Sequence, residues 1–452
     1  MHRAAPSDAP PNTSPAPFQA SSGFTGEHQE FLARHHLRNF MALTVYQVVM
    51  RSGWIFKTES IIMPAVLDLI SNGAPWARQM LPLLNRIGQS IPPMLMARRI
   101  KVSPLKSRTL LSTTLTMATS FLLLGLLWMV MGTYRPWWLT PVFLAFYGLF
   151  FAAMGVNQLV LSTTQGKLIA VRQRGKLLSR SNLIGATTAV TCAILLLPRW
   201  LGGETIDVAS IFGFASGCFF LSALATLFLA EPPDHFQQAP QTPWQHLADA
   251  WQPIRTSANF RRLALVSATY GVSLILFPHY QAVARQDLGM PLQNLLWWLV
   301  LQNLGMGVFS FVLGPMADRY GNRLVLQVLM IGLCGAPLLS LLLSWYCRET
   351  PWLYNFVFVL VGLTPITIKT LHNYTLEICA PADHPRALSS ISLCMAAPLV
   401  LMLPLGGMLQ DEHLDILFIV GIALMLGGWC LTFSLSEPRQ KLPTEPSLTE
   451  DL

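Results

Sequence analysis

The sequence predicts an all-α membrane protein of twelve spanning helices, arranged as two related six-helix bundles. Composition, the length of the apolar stretches and a correspondence between the halves carry that prediction. Of 452 residues, 52% are hydrophobic and only 12% charged, and the mean hydropathy is +0.47. A soluble domain carries roughly 25% charged residues, so lipid is the solvent this composition fits. The same numbers exclude collagen-like, disordered and disulfide-scaffold chains. Helices rather than barrel strands follow from length. A barrel strand needs only about 9–11 alternating residues, whereas each apolar run here approaches the ~20 residues a spanning helix requires.

Residues 1–35 are rich in Pro, Ser and Ala and lack the continuous apolar centre of a secretory signal, which predicts a disordered cytoplasmic tail. Apolar stretches follow at about 38–70, 75–97, 109–131, 137–161, 180–198 and 208–230, forming a bundle over 36–230. The polar segment 231–260 then reads as a cytoplasmic linker. Six more stretches, at about 261–284, 292–316, 323–346, 351–376, 387–409 and 414–436, make a second bundle over 261–437, and 438–452 is a second tail. The first stretch exceeds the bilayer thickness, so tilt or projection is expected.

The 30 Lys and Arg against 22 Asp and Glu give a net charge of +8. With the N-terminus inside, 21 of those 30 fall in inside segments, 5 in outside loops (Arg78, Arg135, Arg199, Arg285, Arg348) and 4 within the membrane. That asymmetry predicts two cytoplasmic termini and accounts for the basic excess without nucleic acid. A cell membrane, with Arg-heavy usage suiting a bacterial inner membrane, is the expected location. Most of the seven Cys lie in apolar runs, with no CxxC pair or His–Cys cluster. No metal, cofactor or disulfide framework is expected.

The halves correspond in detail. LNRIGQSIPP (84–93) in the second span occupies the place of LQNLGMGVFS (301–310) in the eighth, and Arg174 and Arg386 precede the fifth and eleventh spans alike. Between the eighth and ninth spans stand Gly314, Asp318, Arg319, Gly321 and Arg323 in GPMADRYGNR. This resembles the inter-helix signature G-x-x-x-D-R-x-G-R/K-R/K of the major facilitator superfamily, with Asn322 the one departure. Gly314 is expected to let helices approach closely, and Gly321 to supply the positive φ of a short turn. Asp318 is expected to accept from free N–H groups at a neighbouring helix start near Arg386, while Arg319 and Arg323 hold the loop inside. The resemblance implies a conformational latch. The matching first-half loop, ARRIKVSPLKSR, is basic throughout, so an Asp-to-helix latch cannot form there. Anionic headgroups near Arg98, Arg99, Lys101, Lys106 and Arg108 are an expected contact.

Charges inside a membrane cost roughly 2.5–3.5 kcal/mol each on insertion scales, so each needs a reason. Arg51, Lys57 and Glu59 lie in the first span, Arg86 and Gln89 in the second. Helical spacing puts Lys57, Ile61, Pro64 and Asp68 on one face. The second half offers Gln302, Asn303, Lys369, His372, Asn373, Tyr280 and His279, the last expected to face water at the outer end. Trp137, Trp138, Trp297, Trp298 and Trp352 read as interface anchors.

The resemblance implies a monomeric secondary transporter that moves a small solute between two rocking halves, not an enzyme. Arg51, Lys57, Glu59 and Arg86 would form its first-half wall, with Glu59 the proton-exchanging group. One acid among three bases favours an anionic or polar substrate. A transporter-shaped protein with a sensing or assembly role is the alternative.

Overall fold

The computed structural model describes residues 26–437 except 133, 170, 202–205, 234–250, 347, 380–383 and 409–413. The tails 1–25 and 438–452 and most of the predicted linker therefore lie outside the described residues. The first half comprises α1 (Gly26–Ile55), α2 (Ile62–Ser71), α3 (Pro75–Val102), α4 (Lys106–Met131), α5 (Leu139–Leu168), α6 (Val171–Leu201) and α7 (Val208–Thr226). A short α8 (Gln252–Thr256) precedes α9 (Ala258–Gln286), α10 (Asn294–Tyr320), α11 (Asn322–Tyr346), α12 (Asn355–Val361), α13 (Thr364–Ile378), α14 (His384–Met408) and α15 (Leu414–Thr432). No strand occurs among the described residues. Nine helical stretches among them are long and apolar enough to cross a membrane. The other three predicted spans coincide with α1–α2, α3 and α14, consistent with twelve.

Two spans are broken where the sequence led us to expect continuous helices. Pro64 has no N–H for the carbonyl of Ser60, and Pro365 none for that of Val361, and each ring crowds that carbonyl. The first span unwinds over 56–61 between α1 and α2, and the tenth breaks at 362–363 between α12 and α13. In the first break the carbonyl of Thr58 accepts from the N–H groups of Ile61, Ile62 and Met63, which starts α2 anew. The break separates Lys57 from Asp68, so the single face predicted for them does not form.

The halves are built alike. α1 packs on α6 and α7 as α9 packs on α14 and α15, and α3 on α5 as α10 on α12. Small residues allow the crossings. A Cβ at Gly88 would lie 2.7 Å from the Phe151 backbone, and one at Gly305 2.2 Å from the Val359 carbonyl oxygen. Gly155 and Gly362 complete the two crossings, at 2.5 Å from the Gly88 oxygen and 2.6 Å from the Gln302 oxygen. Gly314, expected to serve this purpose, has nothing within 4 Å of its Cβ position. The close approach falls at Gly305, deeper in α10. Gly321 adopts φ +88° as predicted.

Between the halves, α3 packs on α9 and α14, α2 on α9, and α6 on α10.

Candidate functional site

The unwound 56–61 segment holds the most heavily charged buried cluster of the first half. Lys57 is 2% exposed, and its ammonium lies 3.1 Å from the ring centre of Trp54 and 4.1 Å from that of Phe151. Such an aromatic cage holds a cation through the ring quadrupoles. Two residues on, Glu59 accepts a hydrogen bond from Asn85 Nδ2, and Asn85 Oδ1 accepts from Gln89 Nε2. The i, i+4 spacing of Asn85 and Gln89 on α3 sets up this relay. Glu59 thus faces α3 through Asn85.

Arg86 is the electrostatic centre. Its charge acts on Lys57, Glu59 and Tyr147 of the first half and on Tyr270 and His372 of the second. Arg86 Nε, Tyr147 Oη and His372 Nε2 are buried atoms without a hydrogen-bond partner. Buried polar atoms are normally satisfied, so this is where a polar ligand or water has donors and acceptors to meet. Ser60 Oγ donates to Gln302 Oε1 across the half interface at 2.7 Å. Gln302 is therefore an inter-half contact, while Asn303 Nδ2 turns back to the Leu299 carbonyl of its own helix.

A second polar network lies at the predicted outer end. Arg78 Nε donates to Asp68 Oδ1 at 2.6 Å, with the two side chains 0% and 12% exposed. Gln281 Nε2 of α9 reaches Asp68 Oδ2 at 2.8 Å, tying the halves together. Arg285 acts on the same carboxylate. Arg78 is thus an ion-paired residue inside α3, not the loop charge the topology count made it. His279 is fully buried, with both ring nitrogens unpartnered, because α2 and α3 cover the outer part of α9. The water-facing placement expected for it is corrected. Every residue from Tyr270 to Ala284 is buried.

The predicted inner end has its own devices. Glu231 accepts from the backbone N–H groups of Lys106 and Ser107 at 3.0 and 2.7 Å, capping α4, and pairs with Lys167 at 2.9 Å. The helix start in the basic first-half loop is therefore capped by a carboxylate arriving from beyond α7. In the second half Asp318 and Arg319 lie at the exposed end of α10, and Arg323 donates to the Phe433 carbonyl at 2.9 Å. Arg386 Nη1 donates to Gln252 Oε1 at 2.8 Å.

Trp137, Trp297 and Trp352 are exposed, as interface anchors would be. Trp298 is buried, stacks on Phe358 and donates to Asn355 Oδ1 at 2.7 Å. It is a packing residue, because α12 crosses α10 at its position. No group of three or more His, Cys, Asp or Glu that could hold a metal ion occurs among the described residues.

The sequence model of the Major Facilitator Superfamily matches residues 263–450. No curated relative matches the sequence. Among solved structures, a D-xylose-proton symporter superposes with a TM-score of 0.65 at 12% identity, over 88% of this chain and 99% of that chain. A variant of the nucleoside transporter NupG gives a TM-score of 0.65 at 12% identity, over 88% and 100%. A bacterial metal transporter gives a TM-score of 0.60 at 16% identity, over 88% and 99%. The second half thus matches the Major Facilitator Superfamily in sequence, and the whole chain shares its fold with these solved transporters.

Proposed function

We propose that the protein is a monomeric secondary transporter that carries a small anionic or polar solute across a cell membrane by alternating access, with Glu59 exchanging a coupling proton. One observation carries the reading: a broken first span places Glu59 and Lys57 beside Arg86, whose charge reaches both halves. Discontinuous spans at mid-membrane, between two related repeats, are where transporters bind solutes and coupling ions. Lys57 and Arg86 against Glu59 leave a positive excess, which suits an anion. The network of Asp68, Arg78 and Gln281 supports a state closed at the outer end, from which breaking the Gln281 contact would begin outward opening. The similar structures carry solutes as different as nucleosides and D-xylose, so they support a small solute without choosing one. The D-xylose-proton symporter supports coupling to protons.

The test is thermal stabilisation of the purified protein against a panel of organic anions, cations, sugars and drugs, with Glu59→Gln and Arg86→Ala alongside. The reading predicts a ligand that stabilises the wild type and not Arg86→Ala, with proton-linked binding that disappears in Glu59→Gln. If no class of solute binds and both variants unfold, those charges are structural and the protein is a transporter-shaped sensor or assembly factor.

A further inference from the structure

The predicted inner ends of the two halves are closed by matching pieces of chain, with one exchange of charge. After α7 the Asn39 side chain holds the Ala230 backbone, and after α15 that of Asn259 holds the Ser436 N–H. The next residue is a glutamate in both places, Glu231 and Glu437. Glu231 turns to the start of α4, and Glu437 to the start of α11, where its carboxylate oxygens lie 2.7 and 3.0 Å from the Cβ position of Gly321. The third member differs. The next-to-last residue of α5 is Lys167, whose ammonium bridges Glu231 Oε1 at 2.9 Å and the Pro232 carbonyl at 2.5 Å. The next-to-last residue of α13, which ends the corresponding span, is Glu377. Where the first half sets an ammonium, the second sets another carboxylate.

Direct contacts bring the two acids to one place. Asn322 Nδ2 donates to Glu377 Oε1 at 2.9 Å, and the residue before it is the Gly321 on which Glu437 rests. Tyr374, one turn before Glu377 on α13, donates to the carbonyl of Ser436, the residue before Glu437, at 2.5 Å. α11 packs on both α13 and α15. Positive charge is scarce there. Asn322 stands where the signature quoted above has Lys or Arg, and Arg323 spends Nη2 on the Phe433 carbonyl. Glu437 makes no ion pair among the described residues. Its Oε1 and Asn322 Oδ1 are buried atoms without a hydrogen-bond partner, and Asn322 is only 5% exposed. An ionised carboxylate and an amide oxygen can accept but not donate, so the partner they lack is a proton donor or a cation. Oxygen-only ligands suit a hard cation. One or two carboxylates with several retained waters is the usual setting of Mg²⁺, and both glutamates are half-buried, within reach of water.

We propose that Glu377, Glu437 and the Asn322 amide oxygen bind a hydrated divalent cation of the Mg²⁺ class at the inner end of the second half. The ion does there what the Lys167 ammonium does in the first half. It ties the end of one helix, the start of another and the chain after the last span into a single clamp. The site is separate from the Glu59 and Arg86 cluster and does not depend on which solute is carried.

The test uses the full-length protein in lipid nanodiscs, stripped with EDTA and kept at constant ionic strength. Mg²⁺, Ca²⁺ and K⁺ are titrated against the thermal unfolding midpoint, and Mn²⁺ binding is read by electron paramagnetic resonance. The wild type is expected to gain stability with saturating Mg²⁺, as a ligand of the folded state confers, and not with K⁺. Glu377→Gln and Glu437→Gln should each weaken Mn²⁺ binding at least about tenfold. Glu231→Gln, in the first half, should lower the midpoint and keep the Mg²⁺ response. Glu377→Lys rebuilds the first-half arrangement, so it should be more stable than the wild type in EDTA and blind to Mg²⁺. That variant decides if the two Gln variants do not fold. No Mn²⁺ binding by the wild type, or wild-type binding by Glu437→Gln, would overturn the proposal. So would a Glu377→Lys protein that gains no stability in EDTA and still answers Mg²⁺. A wild type stabilised by acid and not by Mg²⁺ would overturn it too, by assigning the gap to a proton shared between the carboxylates.

Discussion

In the first half Gly88 and Gly155 bring α3 onto α5, and in the second Gly305 and Gly362 bring α10 onto α12. Asn39 holds the Ala230 backbone after α7, through Nδ2 to its carbonyl at 2.9 Å and its N–H to Oδ1 at 2.8 Å. Asn259 does the same after α15, taking the Ser436 N–H at 2.9 Å with help from Tyr374. On this shared scaffold the buried charges are distributed unequally. Lys57, Glu59, Asp68, Arg78 and Arg86 all belong to the first half, whereas the second answers with Tyr270, Gln281, Gln302 and His372 and adds Lys369 at the inner side. The repeat supplies two bodies of the same construction. The buried charge is thus concentrated in the first half, and the second half meets it with uncharged hydrogen-bonding groups such as Gln281 and Gln302.

The difference can be broken from either side. The largest effect is expected from Asp68→Ala, which leaves the buried Arg78 without its carboxylate. Losing one partner of a buried ion pair costs about 3–5 kcal/mol, to be read as a lowered unfolding midpoint in detergent. Second, Gly155→Ala and Gly305→Ala force a Cβ against backbone and should each cost about 1–3 kcal/mol. Similar losses in the two halves would sharpen the case for a shared scaffold.

Third, Glu231→Gln should cost about 1.5–3 kcal/mol, the worth of hydrogen bonds to a charged group. Glu437→Gln, at the corresponding place beside Gly321, should cost less, because Glu437 Oε1 is buried without a partner. The smallest effects are expected from the last pair: Asn39→Ala, at about 1–2 kcal/mol, and below it Asn259→Ala, because Asn39 is fully buried and bonds the Ala230 backbone twice. Equal losses within either of these last two pairs would contradict the asymmetry.

Much of the fold was legible because hydropathy and charge act locally. The spans followed from apolar length, and the sequence correspondence paired Gly88 with Gly305, but close approach was assigned instead to Gly314, since only packing against Phe151 and Val359 reveals the two crossings. The breaks were less legible. Pro64 and Pro365 end helices, but Pro82, Pro278 and Pro337 lie inside continuous ones, so proline alone does not mark a break. In the first span the polar run Lys57–Ser60 supplies competing partners. The Asp68–Arg78–Gln281 network was missed because a charge count assigns Arg78 to a loop, whereas it lies inside α3. The Glu231 cap was missed because the carboxylate lies 125 residues along the chain from the helix start it serves. That Lys57, Glu59 and Arg86 lie inside spans was readable, since a charge inside a span stands out against its apolar surroundings. The orientation of Glu59 through Asn85 was not.

The central claim is that Glu59 and Arg86 form a site that binds a solute and moves it. Flux into proteoliposomes tests this most directly, using a solute that stabilises the wild type and following uptake with and without an inward proton gradient. The account predicts gradient-driven accumulation by the wild type, exchange without accumulation by Glu59→Gln, and neither by Arg86→Ala. Accumulation by folded Glu59→Gln and Arg86→Ala at the wild-type rate would contradict it.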